Sequence, residues 1–235
     1  VLTDHVHTPR AIAKRMMEYH LDKDYTMRVA EHLGNPKKEK IYNIYSIEEI
    51  SEMSFSCPNC VLLMKAPNST QQRPVLGIPD TKFVLLNDRA KMITKAPIRV
   101  IDLSLLELHN SRTFWDIGAC TGSVSIEARR QYPHLNIQAF EVREECKDII
   151  RANARLHSAP GIDLHIGNFL NLPIAEDAIV DAVFIGGHGG KLKEIICKVA
   201  SHLDKLKGKI VFNSVSEESN KLFREAFGNE HYGRL

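Results

Sequence analysis

Short apolar runs alternate with segments of helical periodicity through the second half of the chain. The apolar runs cover residues 114–117, 136–142, 162–166, 180–185 and 209–213. Between the second and third runs, Ile149, Ile150 and Leu156 recur at helical spacing, and further helices are expected from residue 123 and over 219–227. Strands that alternate with helices predict a doubly wound α/β fold with a mostly parallel sheet.

The first of these predicted strands ends in an acid and runs into a loop of small residues. Asp116, Gly118 and Gly122 fit the pattern of an acid followed by Gly-x-Gly-x-Gly, with Cys120 in place of the middle glycine. A loop of this kind holds a nucleotide-like ligand over the carboxyl end of a strand. The pattern favours S-adenosylmethionine over a dinucleotide, because Cys120 and Ser123 occupy positions that a dinucleotide fingerprint reserves for glycine. An ordinary β-turn-α connection is the alternative.

The next two predicted strands end in side chains that suit the rest of such a cofactor. Glu141 follows Asp116 by about 25 residues, a distance that suits a carboxylate accepting both ribose hydroxyls. Asn168 comes after the third strand, where its amide can meet the adenine amino group, and Phe169 or Leu170 can cover the ring. The predicted cofactor-binding residues are Asp116, Gly118, Ala119, Gly122, Glu141, Asn168 and Phe169.

A series of short motifs resembles the precorrin-6B or cobalt-precorrin-6B C15-methyltransferases, the decarboxylating enzymes of cobalamin synthesis. The motifs are Gly77-Ile78-Pro79-Asp80 with Phe83, Ile93-Thr94-Lys95 with Arg99, Trp115-Asp116-Ile117-Gly118, Gly122-Ser123-Val124-Ser125-Ile126-Glu127 and Val183-Phe184-Ile185-Gly186-Gly187. The chain departs from the family pattern at Cys120, at Ala96-Pro97, where an acidic pair is usual, and at His188, where a small residue is common.

This resemblance implies an S-adenosylmethionine-dependent enzyme that methylates a late precorrin at C15 and decarboxylates its C12 acetate. It also implies a corrinoid substrate and a homo-oligomer. The site mainly has to align the reactants, since a sulfonium methyl is already electrophilic, so no residue is assigned as a catalytic acid or base. A methyltransferase of another small molecule or protein, and a non-catalytic domain, are the alternatives. The predicted substrate-binding residues are Thr94, Lys95, Arg99, Gly186, Gly187, His188 and Lys191.

The first part of the chain resembles the C-terminal subdomain of the tetrapyrrole methylases, in particular the precorrin C5-methyltransferase. The resemblance lies in Thr8-Pro9 with Ile12-Ala13, Ala30-Glu31 with Leu33-Gly34, and residues 61–64. A helix is expected to begin at Pro9, with strands over residues 26–30 and 61–64.

The expected organisation follows from these two resemblances. Residues 1–66 form a small, incomplete α/β subdomain, residues 67–75 form a linker rich in Asn, Gln and Pro, and residues 76–235 form the methyltransferase domain. Measured against the resembling family, the last strands of that domain are expected to be missing. The parent enzyme is expected to methylate C5 as well as C15.

Composition narrows the class of protein without identifying it. A net charge of +2 disfavours nucleic acid as a partner, because nucleic-acid binding needs a basic face. No apolar run reaches the length of a membrane span, so we expect a cytoplasmic protein without membrane association. The five cysteines are expected to be free thiols. Cys57 and Cys60 have the spacing of half a zinc site but lack a second pair, so no metal is expected.

Overall fold

The computed structural model describes residues 1, 3–43, 46–66, 75–214 and 216–227. The chain forms two compact units, one of Val1–Pro74 with Arg155–Ser158 and one of Val75–Ala154 with Ala159–Leu235. The boundary between them falls within the predicted linker, whose residues 67–74 lie outside the described part of the chain. All five cysteines are free thiols.

The first unit is a three-stranded antiparallel sheet with two helices. The strand order is β2-β1-β3, and β1 pairs with both neighbours. Thr8 caps the first helix, its side chain accepting from the Ala11 N–H at 3.1 Å, and Ser46 with Glu49 forms a capping box on the second. The elements are α1 (Pro9–Glu18), β1 (Tyr25–Glu31), β2 (Lys40–Tyr42), α2 (Ile47–Glu52) and β3 (Asn59–Lys65).

The second unit is a five-stranded sheet in which all the pairings are parallel. The strand order is β6-β5-β4-β7-β8, so the chain winds one way from β4 to β6 and then the other way from β7 to β8. The elements are α3 (Ala96–Leu105), β4 (Thr113–Ile117), α4 (Ser123–Gln131), β5 (Asn136–Glu141), α5 (Cys146–Leu156), β6 (Ile162–Ile166), β7 (Ala182–Ile185), α6 (Leu192–His202), β8 (Lys209–Phe212) and α7 (Glu217–Phe227).

The central strand β7 is apolar throughout because both faces of the sheet are covered. Every residue of β7 is buried. Neighbouring residues on β4 enter different clusters, Phe114 packing with Phe184 and Trp115 packing with Phe140 at 5.7 Å between ring centroids. The two aromatic clusters lie on opposite faces of the sheet, since successive side chains of a strand alternate.

The predicted strands and the doubly wound parallel arrangement are confirmed, with bounds that shift by one or two residues. Helices α2, α3 and α6 were not predicted. In α3, Pro97 stands in the first turn, where its missing N–H costs no hydrogen bond. Among the described residues, no helix combines the length and the apolar character that a membrane crossing needs.

Candidate functional site

Two glycine loops meet at the point where the strand order reverses. Gly118 follows β4, and Gly186 and Gly187 follow β7. A Cβ on Gly118 would lie only 2.5 Å from the Gly187 nitrogen, and φ at Gly118 is +79°. The Gly186 N–H donates to the Ile117 carbonyl at 2.9 Å. A side chain at position 118 would therefore drive the two loops apart, so glycine is required there.

A cavity of about 510 Å³ lies against both loops. Its position at the carboxyl ends of β4 and β7 is where doubly wound sheets bind ligands. Of the predicted cofactor-binding residues, Asp116, Gly118 and Ala119 line this cavity. Gly122, Glu141, Asn168 and Phe169 do not.

The Asp116 carboxylate has one oxygen committed to the protein and one without a partner. Oδ2 accepts from the Ser125 hydroxyl at 2.6 Å and from the Ser125 N–H at 3.1 Å. Oδ1 is buried and has no hydrogen-bond donor in the described structure. Burial raises the pKa of Asp116 to about 6. A buried acceptor of this kind at a cavity wall suits a cationic or N–H group of a ligand.

Glu141 fixes the loop instead of facing the cavity. Its Oε2 accepts from the Cys120 N–H at 2.8 Å and its Oε1 accepts from the Arg143 N–H at 3.0 Å. Cys120 has a φ of +49°, a conformation that glycine adopts more easily. The hydrogen bond from its N–H to Glu141 helps to hold this strained residue in place. The predicted contact of Glu141 with ribose remains a prediction.

Asn168 and Phe169, the two predicted cofactor-binding residues in the loop after β6, have different surroundings. Phe169 was expected to cover the adenine ring of the cofactor. Its ring instead packs in the core, with its centroid 5.0 Å from that of Phe140 and 6.0 Å from that of Trp115. Asn168 is exposed and its Oδ1 accepts from the Leu170 N–H at 3.1 Å. Asn168 therefore remains available to a ligand, whereas Phe169 does not.

Arg99 was predicted to lie on a basic rim, and that prediction is wrong. Its side chain is fully buried and its Nε donates to Glu127 Oε2 at 2.6 Å. Nη1 donates to Asp80 Oδ1 at 2.8 Å and to the Thr94 carbonyl, and Nη2 donates to the Ile78 carbonyl. The guanidinium thus binds three separate segments together. Its charge is neutralised inside the protein, so it is not available to substrate.

The remaining predicted substrate-binding residues divide into two groups. Thr94, Lys95, Gly186 and Gly187 line the cavity. Lys95 Nζ also donates to the Ala90 carbonyl at 2.6 Å and lies 3.4 Å from Asp80 Oδ2. These two contacts tie Lys95 to residues earlier in the segment that precedes α3.

His188 and Lys191 do not line the cavity. His188 Nε2 lies 3.3 Å from the Ser219 hydroxyl, and its ring meets the Phe212 ring edge-on at 5.8 Å. Lys191 is exposed and lies 3.5 Å from a carboxylate oxygen of Glu194. His188 thus anchors its loop to neighbouring elements, and Lys191 is a surface charge on the helix side of the loop.

The sequence reasoning missed Lys91, Arg143 and Asn213, which all line the cavity. Lys91 forms no ion pair with any described residue. Arg143 Nη1 lies 3.5 Å from Glu141 Oε1. The usable signal was position, because Arg143 follows β5 and Asn213 follows β8 at the carboxyl edge of the sheet. In the described residues, no group of three or more His, Cys, Asp or Glu side chains is placed to hold a metal ion.

Comparison with known proteins agrees with this architecture. Residues 86–235 match the profile of the precorrin methyltransferase domain family. The chain is 35% identical over 127 residues to the cobalt-precorrin-6B C(15)-methyltransferase (decarboxylating) of Salmonella typhimurium, covering 54% of this chain and 64% of that protein. It is 25% identical over 234 residues to the precorrin-6Y C(5,15)-methyltransferase [decarboxylating] of Mycobacterium tuberculosis, covering 97% of this chain and 55% of that protein.

A solved structure shows the same fold. The precorrin-6Y C5,15-methyltransferase from Geobacter metallireducens GS-15 superposes with a TM-score of 0.59 at 36% identity, covering 66% of this chain and 79% of that chain. The chain spans less than two thirds of the length of the relatives from Salmonella typhimurium and Mycobacterium tuberculosis. The likeness confirms the predicted methyltransferase fold.

Proposed function

Because the chain belongs to the precorrin methyltransferase domain family, we propose that it methylates a late precorrin at C15 with S-adenosylmethionine and decarboxylates the C12 acetate. The observation that carries this proposal is the match of residues 86–235 to the family, together with a cavity at the switch point of the sheet. The proposal extends to methylation at C5, because the relative from Mycobacterium tuberculosis that matches 97% of this chain is named for methylation at both C5 and C15.

The residues around the cavity fit the proposed cofactor. The unpartnered Oδ1 of Asp116 suits the ammonium of its methionine part, and the backbone of Gly118 and Ala119 allows close approach. When bound, S-adenosylmethionine supplies an electrophilic methyl group. We place the adenine near Asn168 and the ribose toward Glu141, which keeps the Cys120 N–H in the same hydrogen-bond network.

The substrate side of the site is basic. Lys91, Lys95 and Arg143 line the cavity and replace Arg99 and Lys191 as the cations that receive the carboxylates of a corrinoid. Lys91 is the strongest candidate, because it forms no ion pair with any described residue, whereas Lys95 and Arg143 are near Asp80 and Glu141. Several contacts of this kind hold a polycarboxylate without any single strong ion pair.

In this proposal the protein contributes alignment and exclusion of water. The segment 91–95 and the loop after β7 both line the cavity. We propose that a flat substrate lies between them and presents its meso carbon to the donor. No acid or base is needed for methyl transfer, because the carbon nucleophile is part of the conjugated macrocycle. This is consistent with a cavity whose described lining has one carboxylate, Asp116, and one side-chain amide, Asn213, but no histidine.

The proposal is tested by incubating the protein with S-adenosylmethionine and precorrin-6B, in metal-free and cobalt-bound forms. Mass spectrometry should find a product that has gained a methyl group and lost carbon dioxide. Calorimetry with S-adenosylhomocysteine should give one site per chain. Cofactor binding without a mass change in either corrinoid would favour a methyltransferase of another small molecule or protein, and no binding at all would favour a non-catalytic domain.

We also propose a homo-oligomer that works in the cytoplasm and binds no nucleic acid. The support is the family resemblance for the oligomer and the near-neutral charge for the lack of nucleic-acid binding. Light scattering coupled to size exclusion measures the oligomeric state, and an electrophoretic shift assay with duplex DNA and RNA measures binding. A monomer at all concentrations, or binding that weakens with salt, would contradict these two points respectively.

A further inference from the structure

Asp102 is a buried carboxylate that the proposed reaction has not yet used. It lies on α3 with no exposed surface. Oδ2 accepts from the Asn213 side-chain amide at 2.8 Å, and Oδ1 has no partner among the described residues. No lysine, arginine or histidine of the described chain forms an ion pair with it.

Keeping the Asp102 carboxylate ionised in this buried environment costs free energy. Burial without a cation disfavours its ionised form and raises its pKa to about 6. Buried acids that are neither paired nor fully hydrogen-bonded concentrate at functional sites, where the structure accepts the cost for the sake of chemistry. The single partner of Asp102 leads directly to such a site, because Asn213 lines the cavity.

The hydrogen bond decides how the Asn213 amide is oriented. An ionised carboxylate only accepts, so the nitrogen of the amide must face Asp102. The second N–H of that nitrogen and the carbonyl oxygen Oδ1 are then left for the cavity. Asn213 stands beside Ser214 at the end of β8, and its backbone N–H donates at 3.3 Å to the carbonyl of Ile185, the residue before Gly186. Ser214 and Gly186 are uncharged residues that line the cavity. The cations Lys91 and Arg143 come from other segments.

Resting on the proposed function, we propose that Asn213 orients the substrate carboxylate that leaves as carbon dioxide, and that Asp102 is the positioning residue that fixes the Asn213 amide. The second amide N–H of Asn213 donates to an oxygen of the C12 acetate. The other carboxylates of the corrinoid meet the cations on the basic side. The site thereby distinguishes one acetate from the rest by giving it a neutral partner.

The atoms and electrons of the proposed reaction balance without an external reductant or oxidant. In methylation the C15–CH3 bond would form as the S–CH3 bond of the methyl donor breaks, with S-adenosylhomocysteine as the leaving group. The positive charge of the sulfonium would thereby pass to the macrocycle. The bond between the acetate methylene and its carboxyl carbon then breaks, and its electron pair moves into the electron-poor macrocycle as an exocyclic double bond. The positive charge and the carboxylate charge cancel, carbon dioxide leaves, and a proton shift within the macrocycle converts the methylene to a methyl group.

A neutral partner suits this step better than a cation does. The carboxylate loses its negative charge as carbon dioxide forms, so an ion pair with lysine or arginine would stabilise the starting state more than the transition state. An amide N–H orients the group with a weaker bond, and the negative charge of Asp102 behind it disfavours the starting carboxylate. Removing that charge should therefore tighten substrate binding while slowing decarboxylation, a combination that indicates lost ground-state destabilisation.

The experiment compares Asp102→Asn and Asn213→Ala with the unchanged protein. Asp102→Asn keeps the shape and an acceptor for Asn213 but removes the charge, and Asn213→Ala removes the amide. The control is Asp181→Asn, which changes a buried carboxylate at the amino end of β7 that accepts from the Arg112 and Thr113 N–H groups. Thermal melting and calorimetry with S-adenosylhomocysteine establish that each variant folds and binds the cofactor product. Corrinoid binding without cofactor is measured separately.

In both variants we expect methylated corrinoid that retains its C12 carboxyl, with the ratio of decarboxylated to methylated product lowered about tenfold or more. Asp102→Asn should also bind the corrinoid more tightly, and Asp181→Asn should keep the ratio of the unchanged protein. Folded variants that keep that ratio would overturn the inference. If the unchanged protein modifies neither corrinoid, the proposed function fails instead, and the inference falls with it.

Discussion

Replacing Arg99 by methionine should destabilise the protein strongly and should not act as the loss of a substrate contact. The guanidinium is fully buried between Glu127 and Asp80 and also donates to the Thr94 and Ile78 carbonyls. Methionine keeps much of the side-chain volume but leaves the Glu127 carboxylate buried without a cation. Breaking a buried pair by removing one partner costs about 3–5 kcal/mol of unfolding free energy.

Replacing Glu127, the ion-pair partner of Arg99, should change the free energy of unfolding in opposite directions with and without Arg99→Met. Glu127 Oε1 accepts from the Gly77 and Ile78 N–H groups, and glutamine at position 127 can still accept through its amide oxygen. Adding Glu127→Gln to Arg99→Met should therefore recover about 1–2 kcal/mol, because the uncompensated charge disappears while the acceptor stays. In a background without Arg99→Met, Glu127→Gln should destabilise.

Urea denaturation of the four combinations measures this coupling, with Lys191→Met as an exposed control that should change stability by about 0.5 kcal/mol or less. If Arg99→Met proves too unstable to purify, Arg99→Lys, which keeps the charge but not the fork of donors, gives the smaller loss. A stable Arg99→Met protein whose only defect is weaker corrinoid binding would refute the structural role and would support the original prediction that Arg99 binds substrate.

Three further outcomes follow from the site. Asp116→Asn should abolish binding of S-adenosylhomocysteine yet raise stability near pH 8 by up to about 3 kcal/mol. A folded-state pKa of about 6 against 3.8 means that stability is lost as the pH rises from about 3.8 through about 6, so denaturation near pH 5 and pH 8 should show the difference roughly halved at the lower pH. Cys120→Gly should leave affinity and stability within about 1 kcal/mol of the parent, whereas Gly118→Ala should abolish calorimetric binding. Lys91→Glu should raise the KM for corrinoid without changing the Kd for S-adenosylhomocysteine, and Lys193→Glu, on the exposed surface, should change neither.

The fold was predictable because its central strands β4, β5 and β7 are largely buried on both faces. The run 180–185 is apolar at every position except Asp181, a pattern typical of a strand covered on both sides or of a buried helix, and its short length excludes the helix. The loop after β4 was predictable for a different reason. An acid followed by closely spaced glycines marks a strand end where backbone must approach backbone or ligand, as Gly118 and Gly187 do here.

The basic side of the site was not predictable from residue type. Arg99 and Lys191 carry the same formal charge in the sequence, yet the structure buries one against Glu127 and leaves the other on the surface beside Glu194. Which of two cations faces a cavity depends on helix phase and on acids distant in the sequence. Glu127 lies on α4 and meets Arg99 of α3 only through the fold. Asn213 was missed for a similar reason, since its partner Asp102 is far away along the chain.

The glycine positions of the loop after β4 are not equivalent, and the structure shows why one of them can hold a cysteine. At Gly118 an added Cβ would meet the Gly187 backbone, which cannot move without opening the loop after β7. At Gly122 it would lie 3.0 Å from an Ile150 side-chain carbon, a contact that requires the neighbour to shift. Cys120 also has a positive φ, but its side chain packs with Ala139, Cys146 and Ile150 in an apolar cluster.

At position 120 the cost is therefore only the backbone conformation, about 1–2 kcal/mol for a residue with a Cβ, and the buried thiol offsets part of it. Burial also raises the pKa of the Cys120 thiol to about 12, so the sulfur stays protonated and adds no charge to the cavity. The Cys120 N–H still reaches Glu141, which keeps the loop closed. The missing glycine thus leaves the cofactor loop intact, and it gives no support to the alternative of a degenerate, non-catalytic domain.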